Sequence, residues 1–560
     1  MPTSPAEVGD RTVVLVNANI HGGEVEGKEA VLQLLGEIGS GAHAALLEDV
    51  VLLCVPQFNV DGDAARDPRE RVAQNGPEVV GHRPNAEGLD LNRDFIKLES
   101  PEVRALTGLF REWDPTLLMD LHATNGTHHG YHLTYAPSLS PNVDPAIDGF
   151  CRDVLLAGAR ERLDQDGIRV FDYGNSGNDA PYVWRTYDHR PRFGTNLYGL
   201  RNRFSVLSEA YVYLDFAERV RVTHAFVLEI LTITAERGDD MRRICREADE
   251  RAVAGGLRFG YDTRLAPKVP FDLLLGEVRE VPVGDLGVRV EAVDRIRSET
   301  AHAQVAFEST SFTDLPFAWI IPLEEQDLLD RLHAHGVRVE RWSSSDALKR
   351  YPKQVFWITE VDRSPRAFQG HHEVRCRGTW SGGQSWCRPN SMQYVVRSGQ
   401  PLGRLAAQLL EPQSEDSLVT WSVIQVEGPT EHGISQTPPF SICGLLLDGI
   451  GPDDVFELAY TATTPARYPA TTPACRWTTA RARPGSAGTA PRRSAPGTPS
   501  SVRPAGPRHA RIRVPNRARP SGPRRAGGAP DRPRTVVRER AAPTREALPD
   551  RPERPVGSAQ

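Results

Sequence analysis

Long apolar runs and paired cysteines are both missing from this 560-residue sequence. No stretch reaches the ~18 consecutive apolar residues that a membrane-spanning helix needs, so the sequence predicts no such helix. The seven cysteines are scattered without a CxxC pair, which supports neither a disulfide framework nor a cysteine metal site. The N-terminal residues MPTSPAEVGDRT lack the basic and apolar regions of a signal peptide. The composition is that of a globular protein with two or three domains.

Charge is distributed unevenly along the chain, although the net charge is only −6. Residues 461–560 contain 21 Arg, 5 acidic residues and neither Lys nor Phe. With so few apolar side chains to bury, this tail should be disordered. An Arg-rich tail can bind nucleic acid, but GC-rich DNA read out of frame gives the same composition, and we favour that interpretation. Outside the tail no basic surface for nucleic acid is indicated.

Apolar runs alternate with helical patterns over the first part of the chain. Residues 12–20 and 49–56 are apolar and β-rich, and the segment between them repeats apolar residues at helical spacing. A second cycle follows, with a helix predicted behind an N-cap Ser100 and a buried strand predicted at 116–123. Strands that alternate with helices predict an α/β domain whose sheet is covered on both faces.

The pattern changes further along the chain. Helices are predicted at 144–163 and 215–254, with a strand at 203–214 between them. Beyond about residue 258 short β-like runs prevail, such as VRVEAVDRI, HAQVAFES and VTWSVIQV. These changes predict three regions, which are an α/β domain at 1–257, a β-rich accessory domain at 258–460 and the tail at 461–560.

A histidine and a glutamate follow the first predicted strand, in the sequence HGGE at 21–24. In open α/β sheets ligands bind at the edge where the carboxyl ends of the strands meet. His21 and Glu24 are two of the ligand types that a catalytic zinc takes, and His122 ends another strand that would reach the same edge. Singly, each is more often a turn or cap residue. Their convergence on one edge favours a metal site.

Two other groups of polar residues stand out. The segment LDLNRDF places Asp90, Asn92 and Arg93 between leucines, and an Arg beside an Asn suits a carboxylate ligand. A solvated loop is the plainer interpretation of that segment. Glu209 lies inside the apolar run RFSVLSEAY, where a buried carboxylate needs either a hydrogen-bonding or ionic partner or a functional role. A partly desolvated glutamate facing a zinc-bound water is a good general base.

These motifs occur in the order found in the zinc carboxypeptidases, and residues 11–255 resemble that family of carboxypeptidase A-like metallopeptidases. The resemblance rests on HGGE, on FNVDG at 58–62, on LDLNRDF at 89–95, on DLHAT at 120–124 and on the single Glu209. It implies a mixed central sheet flanked by helices. The β-rich residues and the tail carry no motif that we can assign.

The resemblance also implies a role for each polar side chain near the predicted sheet edge. His21, Glu24 and His122 would bind one Zn²⁺ ion. Asp90 would accept a hydrogen bond from His21 and fix its tautomer. Glu209 would take a proton from the attacking water and pass it to the leaving amine.

The remaining implied roles concern the substrate. Asn92 and Arg93 would bind its terminal carboxylate. Family members also use an arginine to polarise the scissile carbonyl, for which Arg83 is the preferred candidate and Arg71 the other.

The sequence departs from the family pattern at several places. Val60 stands where proline is usual in an Asn-Pro-Asp-Gly turn. For the mobile active-site tyrosine, Tyr187 has about the expected spacing from Glu209, with Tyr198 as the alternative. Family members have further strands before the zinc motif, so we expect the sequence to be truncated at its start. The localisation therefore stays open, although many relatives are secreted or periplasmic.

The sequence predicts a zinc-dependent metallocarboxypeptidase that hydrolyses the C-terminal peptide bond of peptides with a free terminal carboxylate. No nucleic-acid or membrane partner is expected. A deacylase of the aspartoacylase type, acting on N-acyl amino acids, would use the same metal site and the same arginine. An inactive protein that binds peptide or cell-wall fragments is a further alternative, disfavoured because the ligands, the base and the carboxylate-binding residues are all present.

Overall fold

The computed structural model describes residues 2–124, 126–177, 179–321, 325–342, 353–382, 393–426 and 443–445. These residues all belong to one compact unit. The tail predicted at 461–560 lies outside the described residues. Among the helices of the described part, none combines the length and the apolar character needed to cross a bilayer.

A six-stranded mixed sheet forms the centre of the first half of the chain. The first seven strands are β1 Thr12–Ala18, β2 Val50–Val55, β3 Leu117–Thr124, β4 Leu133–Pro137, β5 Val170–Asp172, β6 Val183–Arg185 and β7 Phe204–Tyr211. All but β6 join the sheet, in the order β2-β1-β3-β7-β4-β5. The first four of these run parallel, whereas β4 is antiparallel to β7 and parallel to β5. The predicted mixed sheet is confirmed.

Helices pack on both faces of this sheet. They are α1 Glu26–Gly39, α2 Leu46–Asp49, α3 Val60–Ala64, α4 Pro101–Trp113, α5 Pro145–Phe150, α6 Ala157–Gln165, α7 Gly194–Gly199 and α8 Phe216–Ala254. Alternate residues of β1 belong to different apolar clusters: Val14 packs with Phe226 of α8, and Leu15 with Phe110 of α4. Every residue of β1 and β3 is buried, as expected for parallel strands covered on both sides.

Local sequence signals account for the helix starts. The Ser100 hydroxyl accepts a hydrogen bond from the Val103 N–H, so it caps α4 as predicted. The helix predicted at 144–163 is present, but a π-helical turn at Cys151–Leu156 separates α5 from α6. Such turns insert one residue into the helical repeat, which periodicity in the sequence does not reveal.

In the β-rich region, residues 258–445, the described residues form three sheets and two further helices. Its strands are β8 Arg258–Leu265, β9 Val269–Pro282, β10 Val288–Gln304, β11 Phe307–Asp314, β12 Ala318–Ile321, β13 Glu340–Trp342, β14 Lys353–Arg363, β15 Val374–Gly382, β16 Gln393–Arg397 and β17 Cys443–Leu445. Its helices are α9 Gln326–His335 and α10 Gly403–Leu410. The sheets are β6-β10-β9, β11-β8 and β13-β16-β12-β17-β14-β15.

One expected strand in this region is absent. Residues 419–426, which read VTWSVIQV, form turns instead. Val419 and Trp421 are buried in the same apolar cluster as Phe110 and Leu410. Their apolar character therefore serves core packing, not strand pairing. The boundary predicted at residue 257 stays a prediction.

Candidate active site

The turn after β1 is compact because two stretches of backbone pass close to each other there. A Cβ atom on Gly22 would lie 2.4 Å from the carbonyl carbon of Gly62, so neither a larger residue nor a wider turn fits. Asn59, in the loop before α3, accepts a hydrogen bond from the Gly62 N–H and donates one to the Ile20 carbonyl. The FNVDG segment thereby holds the HGGE turn against the sheet edge.

His21, Glu24 and His122 come together at that edge. Their candidate ligand atoms all lie within 4.8 Å of one another, and all three side chains are buried. The Nδ1 atom of His21 lies 3.1 Å from Glu24 Oε1, and the Nδ1 atom of His122 lies 3.0 Å from Glu24 Oε2. Two imidazole nitrogens and a carboxylate thus face one point, as the sequence predicts.

Each imidazole is oriented by a carboxylate on its other side. His21 Nε2 lies 3.1 Å from Asp90 Oδ1, and His122 Nε2 lies 2.9 Å from Asp120 Oδ2. Because an ionised carboxylate only accepts hydrogen bonds, each Nε2 can donate to its carboxylate, and with a metal bound between the rings each Nδ1 would carry the lone pair. Asp90 was predicted for this place. Asp120 was not, although its position two residues before His122 on a strand puts both on one face.

The cluster fits a zinc ion on its own chemistry. Zinc takes imidazole nitrogen and carboxylate oxygen, and catalytic sites use three protein ligands. The buried Nδ1 atom of His21 lies 3.1 Å from Glu24 Oε1 but makes no well-directed hydrogen bond to any described residue, which leaves its lone pair available for a metal. Burial raises the pKa of Glu24, but the charges of His21 and Arg71 outweigh it and hold the pKa well below its usual value. The carboxylate is therefore ionised, as a metal ligand must be.

Glu209 lies beside the cluster because of strand register. In the parallel pair of β3 and β7, Glu209 is the partner of His122, so the two side chains share one face. Its carboxylate makes no hydrogen bond or ion pair with any residue that the structure describes. Burial raises the pKa of Glu209 to about 8. A pKa of about 8 keeps the group largely protonated at neutral pH, and its conjugate base is more basic than an ordinary carboxylate.

The two candidate arginines differ in how fully they are engaged. Arg71 donates to Glu24 Oε1 at 2.9 Å, to the Ala123 carbonyl at 3.1 Å and to Gln74 at 2.8 Å. Its guanidinium therefore supports the ligand Glu24. Arg83 donates through Nε to Asp90 Oδ2 at 2.9 Å, and its side chain is 36% exposed. Arg83 also lies 3.8 Å from Glu24 Oε1, and its role towards a substrate, like the choice between it and Arg71, stays a prediction.

Asn92 and Arg93 lie on a short 3₁₀ turn, Leu91–Arg93, that begins at Asp90. The amide oxygen of Asn92 accepts the Gly194 N–H, and its Nδ2 lies 3.4 Å from His122 Nε2. Since that imidazole N–H is directed at Asp120, the Asn92 NH₂ group keeps donor capacity for a ligand. Arg93 is buried, with its guanidinium 4.1 Å from the centre of the Phe193 ring.

The two candidate tyrosines occupy different surroundings. Tyr198 is fully buried against Phe110, and its hydroxyl donates to the Pro115 carbonyl, so it has no access to a substrate. Tyr187 lies on the segment before α7, with its hydroxyl 3.0 Å from the Thr195 hydroxyl. Its role as a substrate-binding residue stays a prediction.

The orientation of His122 predicts the effect of replacing Asp120. Asp120→Asn keeps the shape but removes the charge that holds the His122 N–H, so zinc affinity should fall about 10- to 100-fold. Chelator competition on the folded variant measures this. Asp172→Asn, on another strand of the same sheet and remote from the cluster, serves as the control. Unchanged zinc affinity in Asp120→Asn would contradict the orienting role.

Comparison with known proteins adds independent findings. Residues 3–144 match the family model described as zinc carboxypeptidase. Carboxypeptidase 2 of Trichophyton equinum is 22% identical over 438 residues, 75% of this chain and 76% of that protein. A probable carboxypeptidase 2 of Arthroderma benhamiae is 26% identical over 422 residues, 72% of this chain and 74% of that protein.

Among solved structures, a metallo-carboxypeptidase from Pseudomonas aeruginosa aligns with a TM-score of 0.31 and 20% identity, covering 42% of this chain and 59% of that one. The family match spans all three clustered side chains, His21, Glu24 and His122. Residues 3–144, which carry this cluster, are thus similar to the zinc carboxypeptidase family.

Proposed function

We propose that this protein is a zinc metallocarboxypeptidase that removes the C-terminal residue from peptides. The observation that carries the proposal is the buried cluster of His21, Glu24 and His122 with Glu209 beside it. The named relatives, which are carboxypeptidases, support the substrate class.

Zinc chemistry explains why the cluster needs a base. A zinc ion held by His21, Glu24 and His122 would supply Lewis-acid activation of a water and of the scissile carbonyl. Glu209 accepts the proton that the attacking water loses and delivers it to the nitrogen of the leaving amine. Its raised pKa suits both steps, because a carboxylate that is too acidic would accept the proton poorly.

Substrate binding is assigned to the arginine side of the site. Arg93, with its planar fork of donors, binds the terminal carboxylate together with the Asn92 amide. Arg83 directs its partly exposed guanidinium towards the carbonyl oxygen, where negative charge develops in the transition state. Tyr187 is the proposed aromatic contact to the substrate. These assignments require a free C-terminal carboxylate on the substrate.

Removal of the metal is the primary test of the function. Dialysis against a strong chelator should abolish hydrolysis of a blocked dipeptide, and one equivalent of Zn²⁺ should restore it. The melting temperature of both forms shows whether the fold survives the treatment. Undiminished hydrolysis by a preparation in which zinc is undetectable would refute the proposal.

Replacement of Glu209 tests the proposed base. Glu209→Gln is isosteric and removes no metal ligand, so zinc content and melting temperature should hold while kcat falls by on the order of 10² to 10⁴. Glu218→Gln, at the surface near the start of α8, is the matched control and should keep normal turnover. His122→Ala should instead lose zinc and activity together. A Glu209→Gln protein with normal zinc and near-normal turnover would exclude the proposed role.

An N-acyl amino acid deacylase remains the second candidate, since Arg93 would bind the carboxylate of such a substrate equally well. Comparing kcat/KM on a blocked dipeptide and on an N-acetyl amino acid separates the two. We expect the dipeptide to be preferred by at least tenfold, because peptide substrates extend beyond the carboxylate site and gain further contacts. The reverse preference would favour the deacylase.

A further inference from the structure

A hairpin turn of the β-rich region reaches the active site. It connects β14 to β15 and comprises residues 364–373, which we term the hairpin tip. Phe368 and His371 exchange two backbone hydrogen bonds, of 2.8 and 3.0 Å, so that only Gln369 and Gly370 form the turn. These two residues have φ values of 50° and 80°. Two positive φ angles are what a two-residue I′ turn requires, and they fix the direction in which Gln369 leaves the backbone.

The side chain of Gln369 ends on the backbone of Asp90. Its Oε1 atom accepts the Asp90 N–H at 3.0 Å. Asp90 is the residue that orients His21, and its Oδ1 atom also accepts the Asn92 N–H at 3.0 Å. Its Oδ2 atom accepts from Arg83. One backbone position therefore sets the placement of a metal ligand and of substrate-binding residues.

Further contacts anchor the hairpin tip to the residues around the site. His371 Nε2 lies 2.8 Å from Glu99 Oε1. Arg192, which is buried, forms an ion pair of 2.6 Å with Glu373, and its guanidinium lies 5.4 Å from the centre of the Phe368 ring. Because these contacts lie on both sides of Gln369, the tip cannot withdraw without breaking several of them.

We propose that Gln369 is a positioning residue that the β-rich region contributes to the active site. By accepting the Asp90 N–H, it fixes the start of the turn from which Asn92 and Arg93 project and from which Asp90 orients His21. The effect on substrate binding rests on the function proposed above. The effect on His21 rests only on the metal cluster.

Three variants separate this role from a general effect on folding. Gln369→Gly removes the acceptor, and because relief of the positive φ angle opposes the entropy that glycine adds to the unfolded chain, the melting temperature should change little. Gln369→Glu keeps an acceptor oxygen at the same reach. Arg366→Ala removes an exposed side chain of the same hairpin tip and serves as the control.

The experiment measures zinc affinity by chelator competition and steady-state kinetics on a blocked dipeptide, with each full-length variant. The loss of one neutral hydrogen bond changes an equilibrium constant by about 2- to 10-fold. Gln369→Gly should therefore lower zinc affinity by about that factor and raise KM similarly, with kcat nearly unchanged because ground state and transition state share the carboxylate contact. Gln369→Glu and Arg366→Ala should stay within about twofold of the parent.

Unchanged zinc affinity and KM in Gln369→Gly would overturn the positioning role. Equal losses of zinc affinity in Gln369→Gly and Gln369→Glu would also overturn it. The same holds if zinc affinity falls only in variants whose melting temperature falls. If the parent binds zinc but cleaves no peptide, the proposed function fails, whereas the zinc titrations still decide whether Gln369 acts on His21.

Discussion

Alternation of carboxylates and imidazoles holds this active site together. The row runs from Asp90 through His21, Glu24 and His122 to Asp120, with neighbouring atoms 2.9 to 3.1 Å apart. A carboxylate buried alone would cost several kcal/mol or lose its charge, but here each one contacts an imidazole. The same row aims both Nδ1 atoms at one point. A divalent cation at that point would balance the negative charge of the three carboxylates, Asp90, Glu24 and Asp120.

Much of this arrangement can be predicted from sequence because it lies at strand ends. Buried apolar runs locate β1, β3 and β7, and polar residues at their ends must meet at one edge. The local sequence cannot reveal partners that are distant along the chain. Arg71 supports Glu24 across 47 positions, and Gln369 contacts Asp90 across 279. The turns at 419–426 show the same limit, since burial by other elements, not strand pairing, accounts for their apolar residues.

Buried charge also joins the β-rich region to the catalytic residues. Lys97 is fully buried, donates to the Arg93 carbonyl at 2.7 Å and lies 4.4 Å from the centre of the Trp421 ring. Arg192 contacts the same ring at 4.6 Å and pairs with Asp416 at 2.8 Å. Separating the two regions would take the Trp421 ring from both cations and the ionic partner Asp416 from Arg192, which costs more than losing exposed ion pairs. The turn Leu91–Arg93 is therefore stabilised by residues that follow it by more than 300 positions.

Unpaired buried polar atoms do not by themselves mark a functional site in this chain. Both carboxylate oxygens of Glu26 are buried and make no hydrogen bond to a described residue, yet Arg219 lies 3.5 Å away and balances the charge, so that pair is structural. Within the described part of the chain the Nδ1 atom of His21 also makes no hydrogen bond, but a second imidazole and a carboxylate converge on the same point. Glu209 beside them has no ionic partner among the described residues, so its desolvation is not offset by a salt bridge. A catalytic base beside metal ligands requires a raised pKa. A salt bridge would stabilise the ionised carboxylate and so lower both its pKa and its basicity.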